Sequence, residues 1–183
     1  MKRILASAVL ACALFVGTAH AGGVGIGLIG GVTSPSNKTD GGSGGHWGII
    51  VPVRVVPLIT LEPFYSKSTL GDEDVTTTVP VPVTVTIAGA EFSTYGANVA
   101  LAFGGPISMY PYVGLGRTNY KRQGFEDSAM SYQGGVGLGV SMVPKVRFDV
   151  RGEYQRVVTD TRTRNLFHAS VGVSMNLLST PLP

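Results

Sequence analysis

From about residue 23 onward, apolar and polar residues trade places at every second position, the period of strands whose two faces meet different surroundings. Eight segments carry it: 23–33, 46–56, 58–68, 90–103, 107–121, 131–143, 145–157 and 165–178. In the fifth, Ile107, Met109, Pro111, Val113 and Leu115 share one face, and Ser108, Tyr110, Tyr112, Gly114 and Gly116 share the other. The sixth sets Tyr132, Val136, Leu138, Val140 and Met142 against Gln133, Gly135, Gly137, Gly139 and Ser141. In the seventh, Val146, Phe148, Val150 and Tyr154 alternate with Arg147, Asp149, Arg151 and Glu153. The eighth opposes Phe167, Ala169, Val171, Val173, Met175 and Leu177 to His168, Ser170, Gly172, Ser174 and Asn176. A soluble antiparallel sheet alternates too, so the period alone does not choose lipid over a water-soluble core.

The connections discriminate better. Longer polar stretches follow the first, third, fifth and seventh segments, at 34–45, 69–89, 122–130 and 158–164. Only Pro57, Gly104-Gly105-Pro106 and Pro144 follow the second, fourth and sixth. Long and short links alternating between opposite ends are the plan of an up-and-down transmembrane barrel, with short periplasmic turns and longer outer loops. The expected fold is therefore all-β, an eight-stranded antiparallel up-and-down transmembrane β-barrel. Within the second long link, 75–87 is expected to form a ribbon, with Val79-Pro80-Val81-Pro82-Val83 confining it to an edge or an arm.

The N-terminus fits that destination. Met1-Lys2-Arg3 is a basic start, Ile4 to Gly17 an apolar run, and Ala19-His20-Ala21 a small-x-small cleavage pattern, so 1–21 reads as a signal peptide and 22–183 as the barrel domain. The run of about fourteen residues is too short for a bilayer-spanning helix, which needs about twenty. The one cysteine, Cys12, falls inside it; acylation there after Val9-Leu10-Ala11 is the competing lipoprotein reading. Losing Lys2 and Arg3 leaves twelve Lys/Arg against eleven Asp/Glu, a balance that offers no basic surface for nucleic acid.

PYVGLG at 111–116, GGVGLGVSM at 134–142, VRFDVRGEYQ at 146–155 and SVGVSMNL at 170–177 resemble the small outer-membrane β-barrel domain family, which includes the eight-stranded relatives of outer-membrane proteins A and X. The resemblance covers nearly all of 22–183 and implies the bacterial outer membrane, contact with its lipid and lipopolysaccharide, a monomer, and a structural or adhesive role with no cofactor and no enzymatic activity. Ser170, Gly172, Met175 and Leu177 resemble the C-terminal signal read by the barrel assembly machinery, with Met175 and Leu177 where aromatics are usual. The partner of the loops is not legible.

Strand parity sends Arg54, Glu62, Arg147, Asp149, Arg151 and Glu153 into the lumen, three of each sign, where a ladder of ion pairs is expected because unpaired buried charge is costly. Parity and strand direction together place Trp47, Tyr65, Tyr95, Tyr132, Tyr154 and Phe167 outward at one height, an aromatic girdle at the outer interface. Just above it Lys67, Arg117 and Arg156 are candidate contacts for lipopolysaccharide phosphates.

Other chemistry is weaker. Gly25-x-Gly27-x-x-Gly30 matches a dinucleotide fingerprint without the strand, helix and acidic residue that make one work. His168-x-Ser170 resembles the HxS pair of outer-membrane lipid A deacylases, which makes a lipid A hydrolase the alternative function. A nucleophile and base need an acid to orient the base, and here Glu153 or Asp149 of the neighbouring strand would have to supply it. A soluble periplasmic barrel around an apolar ligand is the second alternative. Two remaining histidines, His46 and His168, give no metal pattern.

Overall fold

The computed structural model describes residues 23–37, 40–78, 82–143, 145–159 and 162–178. The expected signal peptide and Cys12 lie outside them.

Twelve strands build the described chain: β1 (Val24–Pro35), β2 (Gly42–Ile50), β3 (Val53–Val56), β4 (Ile59–Gly71), β5 (Glu73–Thr78), β6 (Pro82–Ile87), β7 (Glu91–Leu101), β8 (Phe103–Gly104), β9 (Ile107–Arg122), β10 (Phe125–Val143), β11 (Val146–Val158) and β12 (Thr163–Leu178). Each barrel neighbour is antiparallel, and β1 pairs with both β2 and β12, which closes the sheet. Eight staves result because β3 continues β2 and β8 continues β7. Pro52 causes the first interruption, since it has no N–H to give the ladder. Its carbonyl still accepts from the Gly25 amide, and Val51 donates to Pro63, so the stave carries on past the break.

Through the middle of the barrel the staves alternate. Outward positions such as Leu28, Val113, Leu138, Val150 and Val171 are exposed apolar side chains, while Thr94, Asn98, Gln133, Gln155 and Asp149 are buried inside. The core is thus polar and the surface apolar, the inverse of a water-soluble protein and the arrangement a bilayer demands. That corrects the alternative of a soluble barrel around an apolar ligand, because the side chains filling the middle of the lumen are polar. Inside, glycines make room. A Cβ on Gly137 would lie 2.1 Å from the Tyr110 ring, and one on Gly139 would lie 2.2 Å from the Arg147 guanidinium.

The expectation of long loops needs correction at three links. β1 and β2 leave only 36–41 between them, β9 and β10 are joined through Gln123-Gly124, and β11 and β12 leave 159–162. Arg122, Glu126 and Ser128 read as loop because they are polar, yet the ladder simply continues above the apolar belt, where water suits such side chains. Lys121 pairs with Glu126 across it, and Arg117 Nε donates to Ser128 Oγ at 2.7 Å. Gln123 and Gly124 have φ of 46° and 81°, the left-handed pair that a two-residue hairpin turn requires. The ribbon expected at 75–87 is present as β5 and β6, pinned by Thr76 to Thr84 at 3.0 Å and Thr86 to Asp74 at 2.7 Å; 79–81 lie outside the described residues.

Candidate functional site

The lumen is filled in layers. At its centre Arg151 of β11 reaches across to Glu62 of β4 in a two-pronged contact, Nη1 to Oε1 at 2.6 Å and Nη2 to Oε2 at 2.9 Å. Both side chains are buried. Asn98 supports Glu62 at 3.3 Å and receives Gln133 at 2.7 Å. Below, Arg147 Nε meets Asp149 at 2.8 Å, and the Tyr110 hydroxyl donates to the same carboxylate at 2.7 Å. The Tyr112 hydroxyl donates to Glu153 at 3.0 Å. Arg147 lies 4.6 Å from the centre of the Tyr110 ring, and Arg151 lies 5.3 Å from it. These rings add cation–π attraction to the charge pairing.

The six expected ladder residues therefore separate. Glu62 with Arg151 and Arg147 with Asp149 form ion pairs, whereas Glu153 is held by a tyrosine hydroxyl. Arg54 stands apart from the ladder: it is exposed on β3, past the interruption at Pro52, where it lines the open mouth of the lumen and has no carboxylate partner among the described ion pairs. Tyr110, Tyr112, Asn98 and Gln133 are the partners that sequence reasoning missed, although parity already placed the two tyrosines and Gln133 on the inward face.

Above this layer Gln155 Nε2 donates to Thr94 at 3.0 Å, Thr94 and Thr118 share a hydrogen bond at 2.8 Å, and His168 Nε2 meets Gln155 Oε1 at 3.1 Å. His46 bonds Ser68 at 2.9 Å and stacks near His168, ring centres 4.5 Å apart. His168 thus takes an amide where a hydrolase would need a carboxylate, and Glu153, opposite it in register, is turned to Tyr112. Ser170 is buried in the same lumen, away from the exposed face where acyl chains lie.

Toward the loop end an apolar layer closes the interior: Leu70, Phe92, Tyr120, Val157 and Leu166 pack with Ala90 and Ala129. Over it sits Asp40, 1 % exposed, with Arg162 at 3.5 Å and Arg164 at 3.7 Å. Arg122 donates to the Asp40 carbonyl, and Arg164 lies 4.1 Å from the Tyr120 ring centre.

On the outside Trp47, Tyr65, Tyr95, Tyr132, Tyr154 and Phe167 are all exposed. Trp47 meets Tyr65 edge-on at 5.9 Å, and Tyr154 meets Phe167 at 5.1 Å. Of the cations above them, Lys67 pairs with Glu91 at 3.0 Å, Arg117 bonds Ser128, and Arg156 is exposed between Tyr132 and Asn165 in register.

The outer membrane protein beta-barrel domain family matches residues 4–175. The chain belongs to that family. No curated protein matches it in sequence. Among solved structures, the barrel is similar to Neisserial surface protein A, with TM-score 0.63 and 14% identity over 84% of this chain and 96% of that one. It is similar as well to the N-terminal β-barrel domain of Pseudomonas aeruginosa OprF, with TM-score 0.57 and 13% identity over 86% and 100%. The outer membrane protein Ail of Yersinia pestis gives TM-score 0.50 and 14% identity over 84% and 99%. At such identities these relatives establish the fold, and membership in the family places the barrel in the bacterial outer membrane with its strands spanning the bilayer.

Proposed function

We propose that this barrel is a non-enzymatic surface protein of the outer membrane, with a structural and adhesive role exercised through its loop end. The observation that carries this reading is the filling of the lumen at its middle and loop end: a cross-lumen ion pair, a polar network and an apolar layer occupy it there, so contact with molecules outside the cell falls to the exterior. The end opposite the termini carries the β5–β6 ribbon, the feature that reaches furthest beyond the barrel's pairing. A surface protein named among the similar structures, that of Neisseria, supports an outward orientation of this end. On this reading Cys12 leaves with the signal peptide, which permits a direct test. Thr76→Cys should react with a membrane-impermeant maleimide on intact cells while Lys145→Cys should not, and deleting 73–87 should lower cell adhesion without lowering barrel content. Labelling of Lys145→Cys alone would reverse the orientation, and unchanged adhesion would remove the ribbon's role.

The exterior also supports a lipid partner. Arg117 and Arg156, joined by Lys67 once it exchanges Glu91 for a phosphate, stand at the level where lipopolysaccharide phosphates meet the girdle, and guanidinium-to-phosphate hydrogen bonds are strong there. Replacing all three by Gln should reduce lipopolysaccharide co-purification with the folded barrel. Unchanged retention would sink the contact. Insertion by the barrel assembly machinery is supported by Met175 and Leu177 facing outward on β12 while Ser170 and Gly172 face in.

A further inference from the structure

Below the Glu62–Arg151 pair, at the end where β1 begins and β12 ends, lies a cavity of about 110 Å³. One water needs only ~10–15 Å³ of such space. Three guanidiniums line it, those of Arg54, Arg147 and Arg151, against two carboxylates, Glu62 and Asp149.

The carboxylates are already engaged. Glu62 accepts both prongs of Arg151 and the Asn98 amide, and Asp149 accepts Arg147 Nε and the Tyr110 hydroxyl. The lining charges sum to one positive in excess, and Arg54 faces the same space from the exposed strand β3. Arg147 holds Asp149 through Nε, so its Nη donors remain for another partner, and its side chain keeps 24% of its surface exposed. Gly139 allows this pose, because any Cβ there would strike the guanidinium. Uncharged donors, Ser174 and Asn176, complete the wall. A concave, low-dielectric wall with an excess cation concentrates an attractive potential for anions. Two guanidiniums offer paired N–H donors that match an oxyanion in charge and shape.

We propose that this cavity binds one small oxyanion, a carboxylate or phosphate group, between Arg54 and Arg147. The site lies on the opposite end from the surface role proposed above and does not depend on it.

The test uses the refolded mature chain in zwitterionic micelles, with folding verified by its heat-sensitive gel mobility. Arginine side-chain NMR signals are followed during separate titrations with sodium phosphate and sodium acetate at constant ionic strength. Saturable movement of the Arg54 and Arg147 signals is expected, with Arg164, held against Asp40 at the opposite end, unmoved. Saturation by phosphate alone assigns the phosphate class, and saturation by acetate alone the carboxylate class. Arg54→Gln should weaken binding about tenfold, a loss typical of one charge-assisted contact, while Arg54→Lys should retain most of it. Linear shifts shared with Arg164, or an affinity unchanged in Arg54→Gln, would overturn the site.

Discussion

Arg151 is buried against its partner. Its partner Glu62 is buried with it, so Arg151→Ala would strand a carboxylate in the middle of the barrel, and loss of one member of such a pair costs about 3–5 kcal/mol. A denaturant titration of the refolded protein should show that loss, whereas a shift below about 1 kcal/mol would mean that water reaches Glu62. At this scale the sequence was informative about direction and silent about partners. Parity put Glu62, Asp149, Arg151 and Glu153 inside; Glu62, Asp149 and Arg151 are buried, and Glu153 is half-buried against Tyr112. Parity cannot say which residues meet across a closed sheet, because that depends on shear and on side-chain length. The reach of Tyr110 to Asp149 and of Tyr112 to Glu153, and the exposure of Arg54 at the open mouth of the lumen, follow from that geometry alone.

Individual strands answer to depth. Val171 of β12 faces outward well below Phe167, and Val158 faces outward above Tyr154 at the end of β11. An arginine at mid-bilayer costs about 2–4 kcal/mol and near the interface about 0–1 kcal/mol. Val171→Arg should therefore destabilise the barrel in lipid vesicles while Val158→Arg should leave it nearly unchanged; equal effects would contradict the girdle's position. The β5–β6 ribbon has no ladder partner in the barrel, so deleting 73–87 and joining the ends with a short glycine-serine linker should preserve the unfolding midpoint. Strand cores were legible because one face must be apolar, while strand ends were not. The extension of β10 back to Phe125 runs through residues such as Glu126 and Ser128, which look like loop in any reading keyed to hydrophobicity. The apolar layer of Phe92, Tyr120, Val157 and Leu166 was missed for a related reason, since a few apolar residues of inward parity in separate strands make no visible pattern until the barrel closes.

The whole molecule is an inside-out protein: its polar network is the core, its apolar face is the surface, and the closed ladder leaves no strand edge in the bilayer. These properties hang together, and a barrel so closed should resist detergent until heat opens it. The most direct test of the account is therefore to isolate outer membranes from cells producing the full chain and compare boiled with unboiled samples in sodium dodecyl sulfate gels. The account predicts recovery in the outer-membrane fraction and a band whose mobility changes on boiling. Recovery in the soluble periplasmic fraction, with one mobility before and after boiling, would contradict it.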